Sequence, residues 1–329
     1  MKGNAPPWSE RSRFGRGLAD VLLGRYPRFV FGLGHGRRCV PVFHFHEVTP
    51  GYLEPFLRRL AGGGYEALSV KRFLSVVEKR EPVPPRGVFL TFDDAWTSVW
   101  TVAAPLLRRY GLRATVFAIS GRISPAPGLR SLLADDSGRA DYGDRGSEPF
   151  ARWDELRALE GEGVVEVEAH SHAHEQVPFS GRAIGRWDAE SLASVPILSR
   201  PVVRDGRGVR AFDARETGAP RFPVRPRFAD VRAWMPGQGR FETGEEAREA
   251  IRDDLRRCRE TLAGELGRPP RLLCFPWAVA GKVAETEAVE AGFRASFADR
   301  FPGFRAALPG NPPHRLMRLK HQWIRKLPA

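Results

Sequence analysis

Gly87-Val88-Phe89-Leu90-Thr91-Phe92-Asp93-Asp94 decides how the rest of the chain reads. Its first six residues are almost all apolar, as a strand buried on both faces requires, and they run without a break into two carboxylates. A helix over about 97–110 follows, stopped by Gly111, and 114–120 is apolar again. This is a strand, a helix and a second strand, the unit of a parallel sheet. The pattern extends both ways. Upstream, 40–46 reads as a short buried strand. Leu53, Phe56, Leu57 and Leu60 have helical spacing ahead of Gly62-Gly63-Gly64, and Ser69 caps a helix carrying Phe73, Leu74 and Val77. Downstream come a helix at 153–159, a strand at 164–169, a long amphipathic helix with Ile251, Leu255, Cys258, Leu262 and Leu266 on one face, and Gly267 as its stop. A strand at 272–277, a helix at 283–291 and a short strand at 295–297 complete the series. Six or seven such units are consistent with a closed barrel or an open doubly wound sheet, and periodicity does not choose between them.

The 329 residues are 42% hydrophobic and 28% charged, enough for one large domain with insertions. Residues 1–38 are basic and unpatterned and read as an arm. Residues 39–329 form the domain, interrupted at about 178–243 by an irregular stretch rich in Pro, Gly and Arg; 121–150 reads as a loop. Cys39, Cys258 and Cys274 lack metal-site spacing, and an odd number does not suggest a disulfide framework. The net charge of +13 comes mostly from arginine spread along the chain. With no zinc-finger spacing, RNP-like motif or basic run, nucleic acid is not an expected partner. Arg25 and Arg28 break the most apolar N-terminal segment, so neither a membrane span nor a signal peptide is expected. The cytoplasm or the inner face of a membrane, with peripheral membrane contact, is the favoured location.

Polar residues gather at the carboxyl ends of these strands, where α/β folds bind ligands. The clusters are His44 and His46, then Asp93-Asp94, then His170-Ser171-His172-Ala173-His174, with Pro276-Trp277 ending a fourth strand. Adjacent carboxylates repel and resist desolvation. A cation on one relieves this and leaves the other as a base. His170 and His174, four apart, would share one side of a helical turn and could bind one ion while His172 points away. One Asp with two His and open positions is a catalytic rather than a structural set. The competing readings are a helix-capping Asp pair and a surface His-rich turn.

These residues resemble the NodB-type polysaccharide deacetylases, carbohydrate esterase family 4. Thr91-Phe92-Asp93-Asp94 and His170-Ser171-x-x-His174 are similar to the first two motifs. Cys274-Phe275-Pro276-Trp277 is similar to the third, and Pro41-Val42-Phe43-His44-Phe45-His46-Glu47-Val48 to the opening strand. The resemblance implies an α/β fold, a distorted (β/α)7 barrel, and hydrolytic deacetylation of an N-acetylated sugar in a polysaccharide or lipid-linked intermediate. It also implies a divalent metal, zinc first, with cobalt, nickel or iron also suited to the ligands. By motif, Asp93 is the base for a metal-activated water, Asp94, His170 and His174 hold the metal, and Pro276 and Trp277 line the acetyl pocket. The leaving amine needs an acid. His46 is taken for that role by likeness to the poly-N-acetylglucosamine deacetylases, with His321 in Leu319-Lys320-His321 as the competitor and His44 behind both. Three departures stand out. Ala95 and Ala278 replace glycines, and Cys274 replaces the arginine that orients the base in this family. They leave two alternatives: a sugar-binding relic, or a hydrolase of another non-peptide C–N bond.

Overall fold

The computed structural model describes residue 29 and residues 39–132, 148–205, 208–298 and 307–328. The arm at 1–38, apart from Phe29, and half of the 121–150 loop lie outside the described residues. Phe29 itself is buried against Phe43.

The strands are β1 (Val42–Phe45), β2 (Glu66–Ala67), β3 (Gly87–Asp94), β4 (Ala114–Ala118), β5 (Val165–Ala169), β6 (Leu272–Cys274), β7 (Ala295–Phe297) and β8 (Leu319–Lys320). Seven of them form one parallel sheet in the order β7-β6-β5-β4-β3-β1-β8, with β2 alongside β3. The segment at 316–320 joins the two edges. Leu319 and Lys320 pair with Phe43 and His44, while Leu316 bridges to Phe297 and exchanges hydrogen bonds with Ser296 and Ala298. The choice that periodicity left open is therefore settled as a curled, distorted (β/α)7 barrel.

The period of two along each strand divides the side chains. On the inner face, Phe89, Phe117 and Phe297 meet Phe73 to form an aromatic floor, with Phe73 and Phe89 stacked at 4.3 Å. Above that floor the same faces of β1 and β3 carry His44, Thr91 and Asp93. Phe45, Leu90, Phe92, Val116, Val167 and Leu273 belong to the outer core shared with the helices.

The helices that flank the sheet are α1 (Pro50–Gly62), α2 (Val70–Val77), α3 (Ala104–Arg109), α4 (Trp153–Gly161), α5 (Gly244–Leu266) and α6 (Lys282–Glu290), and the insertion adds a short one at Ala189–Ser194. Ser69 caps α2 by accepting the Arg72 N–H at 3.2 Å, and Gly267 stops α5 at φ 70°, a left-handed conformation that costs glycine least.

Three expectations change. The helix expected at 97–110 opens with a wide turn over Val99–Ala103 before α3 begins. The strand expected at 272–277 ends at Cys274, because a tight turn over Pro276–Ala278 follows. A strand, β8, does lead to His321, although no apolar run announced it. The insertion is built of short antiparallel pairs. Val224–Pro226 pairs with Gln176–Pro178, and Val202–Asp205 with Gly208–Ala211. No helix among the described residues is long and apolar enough to cross a membrane.

Candidate active site

β3 delivers Asp93 and Asp94 side by side but in different settings. Strand geometry carries Asp93 inward. The chain then turns sharply, with Asp94 at φ 72° and Ala95 at φ 56°. Two consecutive left-handed residues explain why a glycine would suit position 95; alanine holds the same shape at a cost of about 1–2 kcal/mol. The turn aims Asp94 at the histidines. Its Oδ2 accepts from the Trp96 indole N–H at 2.9 Å, which leaves Oδ1 free.

Oδ1 stands 3.4 Å from His170 Nε2 and 3.6 Å from His174 Nε2, and all three side chains are buried. Two ligands each about 2.1 Å from one ion at tetrahedral angles lie ~3.4 Å apart, so the donors fit a divalent cation. His170 Nδ1 faces the Cys274 carbonyl oxygen at 2.7 Å. That contact makes Nδ1 the protonated nitrogen and turns the Nε2 lone pair to the site. The histidines converge through a loop rather than the helical turn expected. Ser171 (φ 69°) and His174 (φ 53°) are left-handed, and the His174 N–H is held by Ser171 Oγ at 2.9 Å. His172 points away, its Nδ1 2.9 Å from Ser120 Oγ. The Asp254 carboxylate fastens the loop from α5 by accepting the His172 and Ala173 N–H groups at 2.8 and 3.0 Å. Burial raises that carboxyl to about 6. Burial also lowers His174 to about 3. Against the same burial, the Cys274 side chain and Asp94 raise His170 well above its ordinary value.

Among the described residues, two other groupings also bring metal-binding atoms together, one with His44, His46 and Asp93, the other with Asp93, His170 and Cys274. Both need Asp93, and its oxygens are taken. Arg318 donates from Nη1 to Oδ1 at 2.6 Å and from Nη2 to Oδ2 at 2.8 Å, a bidentate pair with both partners buried. Burial alone would raise Asp93, but the Arg318 charge and hydrogen bonds win and hold the carboxyl well below the usual carboxylate range. Only Asp94, His170 and His174 remain as a free set.

Arg318 is the functional residue that sequence reasoning missed. It had counted only as a charge spoiling an apolar approach to His321. The signal available was alternation: Leu316 and Arg318 are both buried and two apart, so an arginine on an inward register needs a partner inside. Position 274, where the family's arginine would stand, holds a cysteine that shares the same inner space, with its thiol raised by burial.

Pro276 is buried, and Trp277 adopts φ 53°, ψ 18°, which lays its ring over His174 with centroids 4.0 Å apart. The third-motif residues thus meet the metal set directly. His46 lies 54% exposed with Nε2 3.6 Å from Asp93 Oδ2, on the open rim. His321 is held back. It stacks on Phe45, meets Phe56 edge-on and is hydrogen-bonded to the Tyr52 hydroxyl. His44 is half-buried, with Nδ1 buried and unpartnered, and burial followed by the Arg318 charge drives its proton affinity down.

A buried Asp–His–His set beside an Arg-locked carboxylate, at the carboxyl edge of a parallel barrel, is a donor arrangement consistent with a divalent-metal site. The polysaccharide deacetylase family model matches residues 80–199, the stretch that carries Asp93-Asp94 and the His170/His174 loop. Among curated relatives, the poly-beta-1,6-N-acetyl-D-glucosamine N-deacetylase of Escherichia coli K12 is 24% identical over 249 residues, 76% of this chain and 30% of that protein. The enzyme of the same name from Staphylococcus aureus MSSA476 is 26% identical over 132 residues, 39% of this chain and 38% of that protein. The chain thus spans well under half the length of either. Among solved structures, the BpsB deacetylase domain of Bordetella bronchiseptica superimposes with a TM-score of 0.60 at 20% identity, covering 85% of this chain and 95% of that domain.

Proposed function

We propose that the chain removes acetyl groups from an N-acetylated sugar within a polysaccharide or a lipid-linked glycan, using a divalent metal, zinc first among the candidates. The observation that carries this reading is the division of labour between adjacent carboxylates. Asp94, with its second oxygen tied to Trp96, completes a cation site, and Asp93 is held ionised beside it. A bound cation would polarise the acetyl carbonyl and acidify water. Asp93 accepts the proton from the attacking water, and Arg318 keeps its oxygens in one orientation. The same contact weakens Asp93 as a base, so aim is gained at some loss of basicity. Pro276 and Trp277 wall the pocket that takes the acetyl methyl, and the Trp277 main chain supplies a donor for the oxyanion. His46, exposed and on the Asp93 side of the rim, protonates the leaving amine; His321, tied to Tyr52, does not. Poly-β-1,6-N-acetylglucosamine, named for the curated relatives, is the neutral reference glycan to try first.

The test is acetate release from N-acetylglucosamine oligomers by zinc- or cobalt-loaded protein, with Asp93→Asn as the blank. Release that vanishes in the variant supports the reading. No release from metal-loaded protein that still binds the oligomer would replace it with a sugar-binding relic.

A further inference from the structure

Arg122 follows β4 at the carboxyl edge of the barrel, in a segment stitched to the histidine loop. The Ser120 N–H donates to the Ser171 carbonyl at 3.2 Å and the Gly121 N–H to the His172 carbonyl at 2.9 Å. Gly121 is required there: a Cβ would stand 2.6 Å from the His172 carbonyl oxygen and 3.0 Å from Val209, on the hairpin that covers the segment. The Arg122 side chain is only 8% exposed, yet its Nε and Nη2 have no hydrogen-bond partner. Among the described residues, Glu175, the carboxylate whose charge reaches it, is engaged by another arginine. Glu175 takes Arg204 at 3.1 and 3.2 Å, and Glu242 takes Arg227 at 2.6 and 3.0 Å. Burial lowers the guanidinium only to about 10, so it stays charged at neutral pH, and that charge is felt at His174. An unpaired buried cation costs several kcal/mol, so its presence beside an active site calls for a counter-charge that arrives from outside.

We propose that Arg122 binds an anionic group, a carboxylate or a phosphate, carried by the glycan next to the sugar being deacetylated. This deepens the deacetylase reading and rests on it. The substrate class becomes an acidic N-acetylated glycan, uronate-bearing or phosphate-bearing, rather than a neutral homopolymer. A planar guanidinium with two free donors suits either anion, since both accept a bidentate pair.

The test compares zinc-loaded wild type with Arg122→Met and Arg122→Lys on three N-acetylated oligosaccharides of equal length: neutral, uronate-bearing and phosphate-bearing. Wild type should favour one charged substrate over the neutral one by about tenfold or more in kcat/KM, carried by KM, and the favoured arm identifies the anion. In Arg122→Met the ratio should fall toward one, and Arg122→Lys should restore part of it. A wild type without preference, or a ratio unchanged in Arg122→Met, overturns the proposal. A second readout does not depend on turnover. Glucuronate or glucose 1-phosphate, but not glucose, should raise the melting temperature of wild type and leave Arg122→Met unmoved. A rise that survives in Arg122→Met places the anion elsewhere, on the metal for instance, and also overturns it. An Arg122-dependent rise in a protein that releases acetate from none of the substrates would retain the anion site and discard the deacetylase reading.

Discussion

The proposed site has a metal half and a base half, and they are assembled in opposite ways. The metal half is gathered at two strand ends: Asp94 and the two histidines come from the ends of β3 and β5, two sheet positions apart, with short-range supports in Trp96 and Ser171 and a distant one in the Cys274 carbonyl. The base half is remote: Asp93 is oriented by Arg318, 225 residues further along the chain. The cation site therefore depends on loop geometry within two motifs, whereas the base depends on the closure of the barrel, because Arg318 lies on the segment that joins the two sheet edges. Chemistry of one kind can draw its orienting charge from either side of a barrel, provided the facing position is small, and Cys274 makes it so.

The sharpest way to separate the halves is to disable each alone. Asp93→Asn should lower kcat by about a thousandfold or more while bound zinc, counted by atomic absorption after dialysis, stays at the wild-type level. His170→Ala or His174→Ala should lose zinc and activity together. An Asp93→Asn protein that no longer holds zinc would mean the halves are one unit. Arg318→Met comes next, with a loss of about a hundredfold from misplacement of the base. Asp93 is depressed by Arg318, so removing the arginine raises it. The acid limb of the kcat/KM profile should then move to higher pH. The stability contributed by the pair is present above the ordinary carboxylate value of about 4 and is lost as pH falls through the depressed one. Wild type and variant should accordingly converge in stability in strong acid. An Arg318→Met profile with an unmoved limb would show that Asp93 is not the titrating base.

This contrast also explains what the sequence made legible. The parallel α/β sheet followed from strands and helices in alternation, its closure as a barrel only from the family resemblance, and the metal half from residues within motifs, because strand ends and tight turns are local physics. Arg318 was not legible, since nothing near it says which strand it will face; only the pairing of Leu319 with Phe43 brings it to Asp93. The insertion was opaque for a related reason. Its pairs are two to four residues long and stabilised by arginine–carboxylate and arginine–aromatic contacts such as Arg221 over Trp187, which leave no periodic apolar signature. Sequence named both His46 and His321 for the acid and put His46 first by likeness to the poly-N-acetylglucosamine deacetylases; the structure sets His46 3.6 Å from Asp93 and His321 against Tyr52. Removing each ranks them: His46→Ala should cost tens of fold in kcat, and His321→Ala clearly less. Equal losses would assign the acid to neither alone.

The smallest effects lie in the turns that serve the two halves. Ala95 and Ala278 stand where the family has glycine, and both are left-handed, at φ 56°. Replacing either with glycine removes about 1–2 kcal/mol of strain and returns about 0.4–1 kcal/mol through the looser unfolded chain. The methyl decides the remainder. Ala95 is fully buried in the main core cluster, so its loss costs about 0.8 kcal/mol more, whereas Ala278 is partly exposed and loses less. Ala278→Gly should therefore raise stability by somewhat under ~1 kcal/mol in urea melts, and Ala95→Gly should leave it nearly unchanged. The reverse order would mean that the turn after Asp94 stores more strain than its dihedral angles imply, and that the metal half is held under tension by its own backbone.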